Sequence, residues 1–552
     1  MNSKHFTYLL IYIVGMTSYL PSITIADQLQ FITPPQIIPN PNPAVPLAAL
    51  LQIQTNKPAQ THISILQGHK QKTFKYHTPS LLKQELPLIG FSAGQQHQVK
   101  VTISDTETTL SKTLSYTAPP LPTAAEAFPI IEIKRFANLP MEAGVTLFNP
   151  RRRVPIDSKS PQEQKLKFRQ KFGMLAAIDE AGNVIWYYQT DSRISDFELL
   201  DNGHIIFLTQ DYRVVEIDLL GNTINQWYAK QRVYGEAADA TPVDTLTLHH
   251  DIDVLPNGNF LVLGSERLQV PNYYTSELDE NAPRKMQWVM ADEIIEFTPQ
   301  GDIVWEWKMA DYVDVYRLGY RTFKGYWNKR GHKDTIDWSH CNAVQAVDEN
   351  SILLNSRYQS ALFMIDKDSK EIRWIIGEPS GWNENLQSKL FTMQESEWFW
   401  HQHGSNITPQ GTLLLFDNQN YMARPFNEPL PPKATHSHAV EYQLNIEQKT
   451  LKPIWHSRIP DDKSVSSFAM GSVQHLENTG NIFVGYGTLL SENDKQNRTW
   501  HNAVGNDSWT LAREYTHEVP AQIVWELQLK PRENDIGLGW TLFGARRISQ
   551  FP

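Results

Sequence analysis

Hydrophobic and polar residues alternate along most of this chain with the period of two that is typical of β-strands. Between residues 28 and 120, the segments ISILQ, KTFKYHT, HQVKVTISD and LSKTLSYTA follow this pattern and are separated by polar turns. The pattern predicts a small β-sandwich domain over residues 27–120. The next segment, TAPPLPTAAEAFP, is interpreted as a linker, because proline removes backbone hydrogen-bond donors.

One hairpin pattern recurs from residue 121 onward. Each copy has an apolar strand, a turn, and a second strand that ends at a tryptophan. The six copies are Ala177–Trp186, Glu216–Trp227, Glu296–Trp305, Met364–Trp374, Glu441–Trp455 and Glu514–Trp525. A second hairpin with a Gly or Asn-Gly turn lies between them, as in DIDVLPNGNFLVL and SNITPQGTLLLF. Two alternating hairpins predict an all-β, six-bladed β-propeller over residues 121–552, with the C-terminal GWTLFGARRI completed by ring closure.

The N-terminus has the pattern of an export signal. Lys4 precedes a short apolar run, and the small residues Thr24 and Ala26 stand at the −3 and −1 positions before Asp27. This predicts a cleaved signal peptide over residues 1–26 and a periplasmic protein that keeps no membrane contact after cleavage. The alternative is an uncleaved membrane anchor, since the apolar run approaches the lower limit for a span.

Charge and cysteine content exclude several classes of protein. The formal net charge is −10 and the charges are dispersed, which argues against a nucleic-acid partner. Cys341 is the lone cysteine, so an internal disulfide and a cysteine-based zinc site are excluded. The Arg run at 151–153 is interpreted as a solvated turn rather than a binding patch.

The second hairpin type provides a register in which histidines recur. Eight residues before the turn glycine lie His250 and His403 in two copies, and Ser195 and Ser472 in two others. In a further copy Asn350 replaces the glycine, so that Asn342 lies eight residues back and His340 ten. Even offsets keep side chains on one face of a strand. Because the innermost strands of a propeller approach its central channel, we expect these side chains to converge there.

An arginine completes the predicted constellation. Arg357, in LLNSRYQS, ends the strand that follows His340, and a guanidinium can bind an oxyanion through two parallel hydrogen bonds. Three imidazoles and a guanidinium suit an anionic substrate. A three-histidine zinc site that hydrolyses esters is the rival interpretation, although a neighbouring arginine disfavours a divalent cation. His249 is expected to point away from His250, whereas His401 shares the face of His403.

Several segments resemble those of bacterial arylsulfate sulfotransferases. They are HHDIDVLPNGNFL, DWSHCNAV, LNSRYQS, QHGSNITPQGTLLLFDN and MEAGVTLFNP. The resemblance covers residues 121–552, and the N-terminal β-sandwich fits the accessory domain of that family. It implies a six-bladed propeller that does not use the nucleotide sulfate donor of cytosolic sulfotransferases, and no cofactor or metal.

The resemblance also assigns roles to residues. It implies that His403 is the sulfated histidine, that His340 is a second active-site histidine with Asn342 nearby, that Arg357 binds sulfate, and that His250 completes the site. We therefore expect ping-pong transfer of a sulfuryl group from an aryl sulfate to a phenol through a sulfohistidine, with Asn342, Arg357 and His250 binding substrate. The family further implies a homodimer. A non-catalytic periplasmic binding or scaffold propeller and a quinoprotein-type dehydrogenase remain alternatives.

Overall fold

The computed structural model describes residues 28–549, except 68–69, 137, 155–159, 394–396, 460–464, 503–507, 534 and 536–537. The predicted signal peptide lies outside these residues. Within them, no helix combines the length and the apolar character needed to span a bilayer. The chain divides into two compact units, the first of which comprises the chain up to Ile37, Leu51–Leu86 and His97–Tyr116. The second comprises Ile38–Leu50, Pro87–Gln96 and Thr117–Pro552.

The N-terminal region is built from five strands that form one hydrogen-bonded sheet. The strands are β1 (Phe31–Pro39), β2 (Ala49–Gln67), β3 (Lys70–Leu88), β4 (Gln96–Ser104) and β5 (Thr109–Thr117). They pair in the order β1-β2-β4-β5, and β3 pairs with β2. Buried and exposed side chains alternate along β4, as the period of two predicts.

The remaining strands, β6 to β33, form six antiparallel-based sheets. We number the sheets along the chain as sheets 1 to 6. In chain order the strands are β6 (Ile130–Arg135), β7 (Val145–Arg153), β8 (Gly173–Ile178), β9 (Val184–Thr190), β10 (Ile194–Leu199), β11 (Ile205–Thr209), β12 (Arg213–Ile217), β13 (Thr223–Ala229), β14 (Thr241–Val243), β15 (His249–Val254), β16 (Phe260–Tyr273), β17 (Lys285–Phe297), β18 (Ile303–Lys308), β19 (Thr335–Asp337), β20 (Cys341–Asp348), β21 (Ser351–Ser356), β22 (Ala361–Asp366), β23 (Ile372–Gly377), β24 (Thr392–Met393), β25 (His403–Ile407), β26 (Leu413–Asp417), β27 (His438–Asn445), β28 (Thr450–His456), β29 (Ser472–His475), β30 (Ile482–Gly485), β31 (Ala512–Tyr515), β32 (Ile523–Lys530) and β33 (Gly539–Ile548).

Each sheet contains at least four strands that pair antiparallel with their neighbours. The strand orders are β33-β7-β8-β9 in sheet 1, β10 to β14 in sheet 2, β15 to β18 with β19 on β17 in sheet 3, β20 to β23 in sheet 4, β25-β26-β27-β28-β24 in sheet 5, and β29 to β32 followed by β6 in sheet 6. The C-terminal β33 thus completes the sheet that begins with β7, as the incomplete last repeat predicted. Short helices lie between the strands: α1 (Gln162–Gln170), α2 (Met309–Tyr312), α3 (Glu384–Gln387), α4 (Glu492–Asn497), and 3-10 turns at Asn328–Arg330 and Pro432–Ala434.

The innermost strands of the sheets are β33, β10, β15, β20, β25 and β29. Each contacts the innermost strand of the next sheet, and β33 contacts β10, which closes a ring. Apolar cores fill the space between consecutive sheets, as in the cluster of Leu263, Ile294, Leu354 and Phe363 between sheets 3 and 4. The all-β propeller prediction is confirmed.

The recurring tryptophan of the first hairpin type joins neighbouring sheets. In five sheets its indole Nε1–H donates to a backbone carbonyl in a hairpin turn of the next sheet. The bonds are Trp186 to Leu219 (2.9 Å), Trp227 to Pro299 (2.9 Å), Trp305 to Lys367 (2.8 Å), Trp455 to Thr516 (3.1 Å) and Trp525 to Glu180 (3.3 Å). The last of these bonds runs from sheet 6 back to sheet 1. Trp374 of sheet 4 instead packs against Phe391, with ring centroids 5.4 Å apart.

Polar side chains on the innermost strands satisfy the free backbone edges that face the channel. Asp251 and Asp253 accept from the N–H groups of Val344 (2.7 Å) and Ala346 (2.8 Å) in the next sheet. Gln345 makes the same contact with Ile407, accepting from its N–H at 2.8 Å. An edge strand leaves unpaired backbone groups, and here side chains of the preceding sheet pair with them.

The interpretation of the Arg run at 151–153 as a solvated turn is wrong. These residues lie on β7, where Arg151 and Arg152 are buried. Arg152 is paired with Asp535 at 2.7 Å and lies over the Trp540 ring at 4.2 Å. Hydrogen bonds and aromatic faces therefore replace water around these guanidinium groups.

Candidate active site

A central cavity of about 710 Å³ is lined by the innermost strands of all six sheets. Three of the predicted residues, His250, Asn342 and His403, line it together. They come from sheets 3, 4 and 5, so the register inferred from the hairpins does bring separate repeats to one place. His340 lies directly before β20, and Arg357 lies directly after β21, so both stand at the ends of the strands beside this group.

The hydrogen bonds of His403 fix its tautomer. Asn418 donates from Nδ2 to the carbonyls of Ser467 (3.3 Å) and Met470 (3.0 Å), which can only accept. Its Oδ1 must therefore face His403 Nδ1, 2.6 Å away, and this nitrogen carries the proton. The other ring nitrogen, Nε2, accepts from the backbone N–H of Met470 at 3.1 Å and so carries the lone pair.

The electrostatic surroundings keep the His403 ring neutral. Burial, and then the positive charge of Arg357, hold the pKa of His403 well below its usual value, although the hydrogen bond to Asn418 acts in the opposite direction. Gly404 follows with a φ of 57°, and a Cβ there would lie 3.0 Å from the carbonyl oxygen of Gly471. A side chain directly after the histidine would therefore be strained, which favours glycine there.

The backbone before His403 is held by a buried amide network. Asn342 donates from Nδ2 to the Gln402 carbonyl at 3.0 Å, and its Oδ1 accepts from Asn355. Asn355 also donates to the Gln402 carbonyl at 3.1 Å, while the Gln402 side chain donates to Asn355 Oδ1. The predicted substrate contact of Asn342 stays a prediction, since its amide already positions the residue that precedes His403.

His340 is oriented by a carboxylate. Its Nδ1 lies 2.6 Å from Asp337 Oδ2, and Asp337 Oδ1 accepts from the indole of Trp327 at 3.0 Å. The imidazole stacks on Tyr358 with ring centroids 4.6 Å apart, and the His250 ring is 5.0 Å away. Burial lowers the pKa of His340, while Asp337 raises it. The arrangement leaves Nε2 available for proton transfer, as in a histidine–carboxylate pair of a hydrolase.

His250 contacts its neighbour His249, so the expectation that the two rings point apart is wrong, because the positive φ of His250 interrupts the alternation of the strand. The two Nδ1 atoms are 2.7 Å apart, and His249 Nε2 lies 3.2 Å from both the Gly264 carbonyl and Asp292 Oδ1. Burial would raise the pKa of Asp292, but the hydrogen bond and charge of His249 hold it below its usual value. The Gly264 carbonyl can only accept, so His249 Nε2 carries a proton, and the short separation of the two Nδ1 atoms places one further proton between the rings.

Arg357 is 4% exposed and has donor capacity to spare. One Nη donates to the Phe468 carbonyl at 2.7 Å, while Nε has no hydrogen-bond partner among the described residues. Burial lowers the pKa of this guanidinium to about 10, so it remains charged at neutral pH. Its charge in turn lowers the pKa values of His340, His401 and His403. A buried cation with an unused donor is the counterpart that an anion requires.

His401 lies between two aromatic rings at the same place. Its ring centroid is 5.5 Å from that of Tyr358 and 5.2 Å from that of Tyr421. Its Nδ1 is buried without a hydrogen-bond partner among the described residues. Burial, followed by the charge of Arg357, holds the pKa of His401 well below its usual value. The ring therefore adds a neutral polar edge to an aromatic wall.

Sequence reasoning missed the residues that hold these histidines. Asp337 and Asn418 set the orientation of His340 and His403, and Met470 supplies the N–H to His403 Nε2. Asp337 stands three residues before His340, a signal that spacing could have revealed. Asn418 and Met470 come from loops outside the hairpin repeat. No group of three or more His, Cys, Asp or Glu side chains in the described part of the chain is placed to hold a metal ion.

Most of the chain matches a known protein family. The arylsulfotransferase (ASST) family model matches residues 135–529, which is more than half of the chain. The chain belongs to the arylsulfotransferase family. The Ig-like domain model of the arylsulfotransferases matches residues 36–119, the region in which a β-sandwich was predicted.

Similar proteins extend the comparison. Proteins named arylsulfate sulfotransferase AssT, from Lelliottia amnigena and from Escherichia coli O6:H1, are each 30% identical over 139 residues. The alignment spans 22% of this arylsulfotransferase-family chain and 22% of each relative. Similar solved structures include BamB from Moraxella catarrhalis (11% identity, 74% of this chain and 99% of that one, TM-score 0.25). Another is the Pseudomonas brassicacearum lignostilbene dioxygenase (10% identity, 78% and 97%, TM-score 0.31).

Proposed function

We propose that the protein transfers a sulfuryl group from an aryl sulfate to a phenol, with His403 as the nucleophile. The observation that carries this proposal is the state of the His403 ring. Its proton is held on Nδ1 by Asn418, its pKa is depressed, and the lone pair of Nε2 lies on the side of the Met470 N–H. A neutral imidazole with a fixed lone pair beside a buried guanidinium suits attack on an anionic ester.

In the first half-reaction, the Nε2 lone pair forms a bond to sulfur while the bond between sulfur and the aryl oxygen breaks. The electron pair of that bond leaves with the phenolate oxygen, which takes a proton from Nε2 of protonated His340. Arg357 Nε and the imidazole of His250 hold the sulfuryl oxygens. Once the Nε2 lone pair of His403 is bonded to sulfur, the Met470 N–H can no longer donate to it and donates to a sulfuryl oxygen instead.

In the second half-reaction, an acceptor phenol replaces the leaving phenol at the same site. Neutral His340 takes the acceptor's proton as the phenol oxygen attacks sulfur. The bond between sulfur and nitrogen breaks, and its electron pair returns to His403 Nε2. One proton thus moves from acceptor to His340 and then to the next leaving group, so the cycle balances and has ping-pong kinetics.

The test is incubation of the purified protein with 4-nitrophenyl sulfate, with and without phenol. We expect nitrophenol release that phenol accelerates, phenyl sulfate as the second product, and a sulfated peptide that contains His403 in a rapidly quenched sample. His403→Asn should reduce turnover by about 10³-fold or more, since it removes the nucleophile. His456→Asn, a change of the same type at an exposed histidine at the end of β28, should not reduce it.

Two outcomes would contradict the proposal. Full turnover by a folded His403→Asn variant would exclude this nucleophile. Release of nitrophenol that produces only inorganic sulfate and stops after treatment with a chelator would favour the zinc-dependent hydrolase instead. Export to the periplasm and dimerisation remain predictions, which cell fractionation and sedimentation of the purified protein would check.

A further inference from the structure

Four arginines lie beside the site, and of the carboxylates in the described part of the chain, Glu277 interacts electrostatically with Arg321. We name Arg153, Arg193, Arg321 and Arg330 the arginine cluster. Each is partly buried, and none forms an ion pair with a carboxylate among the described residues. The side-chain Nε of Arg193, and both Nε and Nη1 of Arg321, are buried without hydrogen-bond partners there. In a chain with a net charge of −10, carboxylates are plentiful elsewhere, so this concentration of unpaired positive charge is local.

Aromatic rings connect the arginine cluster to the proposed catalytic residues. The Arg330 guanidinium lies 3.6 Å from the centre of the Tyr326 ring, and the Tyr326 ring lies 4.7 Å from the His340 ring. Arg321 and Arg153 lie 4.2 Å and 5.8 Å from the centre of the Phe468 ring. The carbonyl of Phe468 accepts from Arg357. One aromatic ring therefore separates the cluster from the residues that bind the sulfuryl group.

The four charges also act on one another. Burial, followed by the charges of Arg193 and Arg321, lowers the pKa of Arg153 to about 9. Burial and then Arg330 lower the pKa of Arg193 to about 10. Like charges held together without counter-ions destabilise a fold, and a bound anion relieves this cost. Unused buried donors identify the cluster as the place where such an anion would bind.

We propose that the arginine cluster is a second anion subsite, which binds a carboxylate, sulfonate or phosphate group carried by the aromatic substrate. The sulfuryl group or acceptor hydroxyl would lie at His403 and Arg357. The second anionic group would lie at the other end of the substrate's aromatic ring, at Arg193 and Arg321. This inference rests on the proposed function and narrows its substrates to phenols and aryl sulfates with an additional negative charge.

The test compares two acceptors of the same shape and phenol acidity. 4-Hydroxyphenylacetate carries a carboxylate, and 4-hydroxyphenylacetamide carries a neutral amide in its place. The 3-hydroxy isomers place the carboxylate or amide at a different distance and direction from the phenol hydroxyl. With 4-nitrophenyl sulfate as saturating donor, kcat/KM for the carboxylate should exceed that for the amide by roughly tenfold or more in at least one isomer, as expected for charge-assisted hydrogen bonds.

Variants locate the source of that preference. Arg193→Gln and Arg321→Gln, tested singly, should each reduce the carboxylate-to-amide ratio by roughly tenfold, whereas Arg193→Lys keeps the charge and retains part of it. Arg135→Gln is the matched control, because it removes the same charge from an exposed residue on the outer strand β6. Circular dichroism establishes that each variant is folded, and two independent sites keep the test valid if one variant is not.

The possible failures are distinguishable. Absence of nitrophenol release with every acceptor would refute the proposed function itself, and the subsite with it. Turnover with phenol but no preference for the carboxylate in either isomer would refute the subsite alone. The subsite would also be refuted if the preference for the carboxylate survived in both glutamine variants, or if it fell equally in Arg135→Gln. Either result would attribute the preference to the electrostatic field of the whole protein.

Discussion

The role of Asn418 gives a quantitative test of how His403 is activated. Asn418 is fully buried, and its Oδ1 accepts the Nδ1–H of His403 at 2.6 Å. In the free enzyme this bond joins two neutral groups and contributes about 1 kcal/mol. When Nε2 binds sulfur, the ring gains positive charge, and a hydrogen bond to a charged group contributes about 1.5–3 kcal/mol. The difference, roughly 0.5–2 kcal/mol, stabilises the transition state relative to the free enzyme.

Asn418→Ala should therefore slow sulfation of the enzyme by roughly 2- to 30-fold, at about 1.4 kcal/mol per factor of ten. The assay is the pre-steady-state burst of nitrophenol from 4-nitrophenyl sulfate, because the burst reports this step alone. The variant also leaves the carbonyls of Ser467 and Met470 without their donor, so its free energy of unfolding should fall by about 1–3 kcal/mol.

Asn481→Ala is the matched control for that loss of stability. Asn481 is a buried asparagine that donates to the Pro140 carbonyl and to Glu514, both at 2.8 Å, away from the histidines. Its substitution should destabilise the fold and leave the burst rate unchanged. An unchanged burst in folded Asn418→Ala, or an equal loss of rate in Asn481→Ala, would refute the proposed link between Asn418 and the nucleophile.

Three further predictions follow from the same geometry. Asp337→Asn removes the carboxylate that raises the pKa of His340. The rate of transfer from phenyl sulfate, whose phenolate is a poor leaving group, should fall by about 10²-fold, and the rate from 4-nitrophenyl sulfate should fall much less. Because the pKa of His403 is well below its usual value, the ring stays unprotonated as the pH falls, and kcat/KM for 4-nitrophenyl sulfate should remain level below pH 6.5; a fall centred at or above about 6.5 would contradict this. Trp525→Phe removes a hydrogen bond between sheets 6 and 1 and should lower the free energy of unfolding by about 0.5–1.5 kcal/mol in chemical denaturation, whereas Trp374→Phe, which loses no such bond, should lower it less.

The hairpin repeat was sufficient to predict the fold and part of the site. Hairpins of nearly constant length keep a fixed offset between the turn glycine and the channel, so His250, Asn342 and His403 were correctly expected to meet. The offset is imperfect, because each of these strands has a bulge near its start, for example between His249 and Ile252. His340 lies directly before its strand, where the alternation of faces no longer applies.

The partners of the histidines could not be predicted in this way. Asn418 reaches His403 from a loop, and the insertion that contains Tyr326 and Arg330 has no periodicity from which to place it. Three consecutive arginines, 151–153, indicated a solvated turn because charged residues are rarely buried. Their burial depends on a carboxylate, carbonyls and aromatic rings that are distant in the sequence, such as Asp535 and Trp540, and a single sequence carries no signal for such contacts.

Three of the same histidines have a backbone conformation with positive φ. His250, His340 and His401 have φ values of 60°, 46° and 55°, a region that is uncommon for residues with a Cβ and costs about 1–3 kcal/mol in sparsely populated cases. Contacts across strands hold these conformations: the Arg357 N–H donates to the His340 carbonyl at 3.3 Å, and the His401 N–H donates to Ser360 Oγ at 3.3 Å. These residues lie at or just before the start of innermost strands, where the His250 and His340 rings are 5.0 Å apart and Tyr358 contacts both His340 and His401. The cost is borne when the protein folds and does not recur in each reaction cycle, which is the condition for a preorganised site.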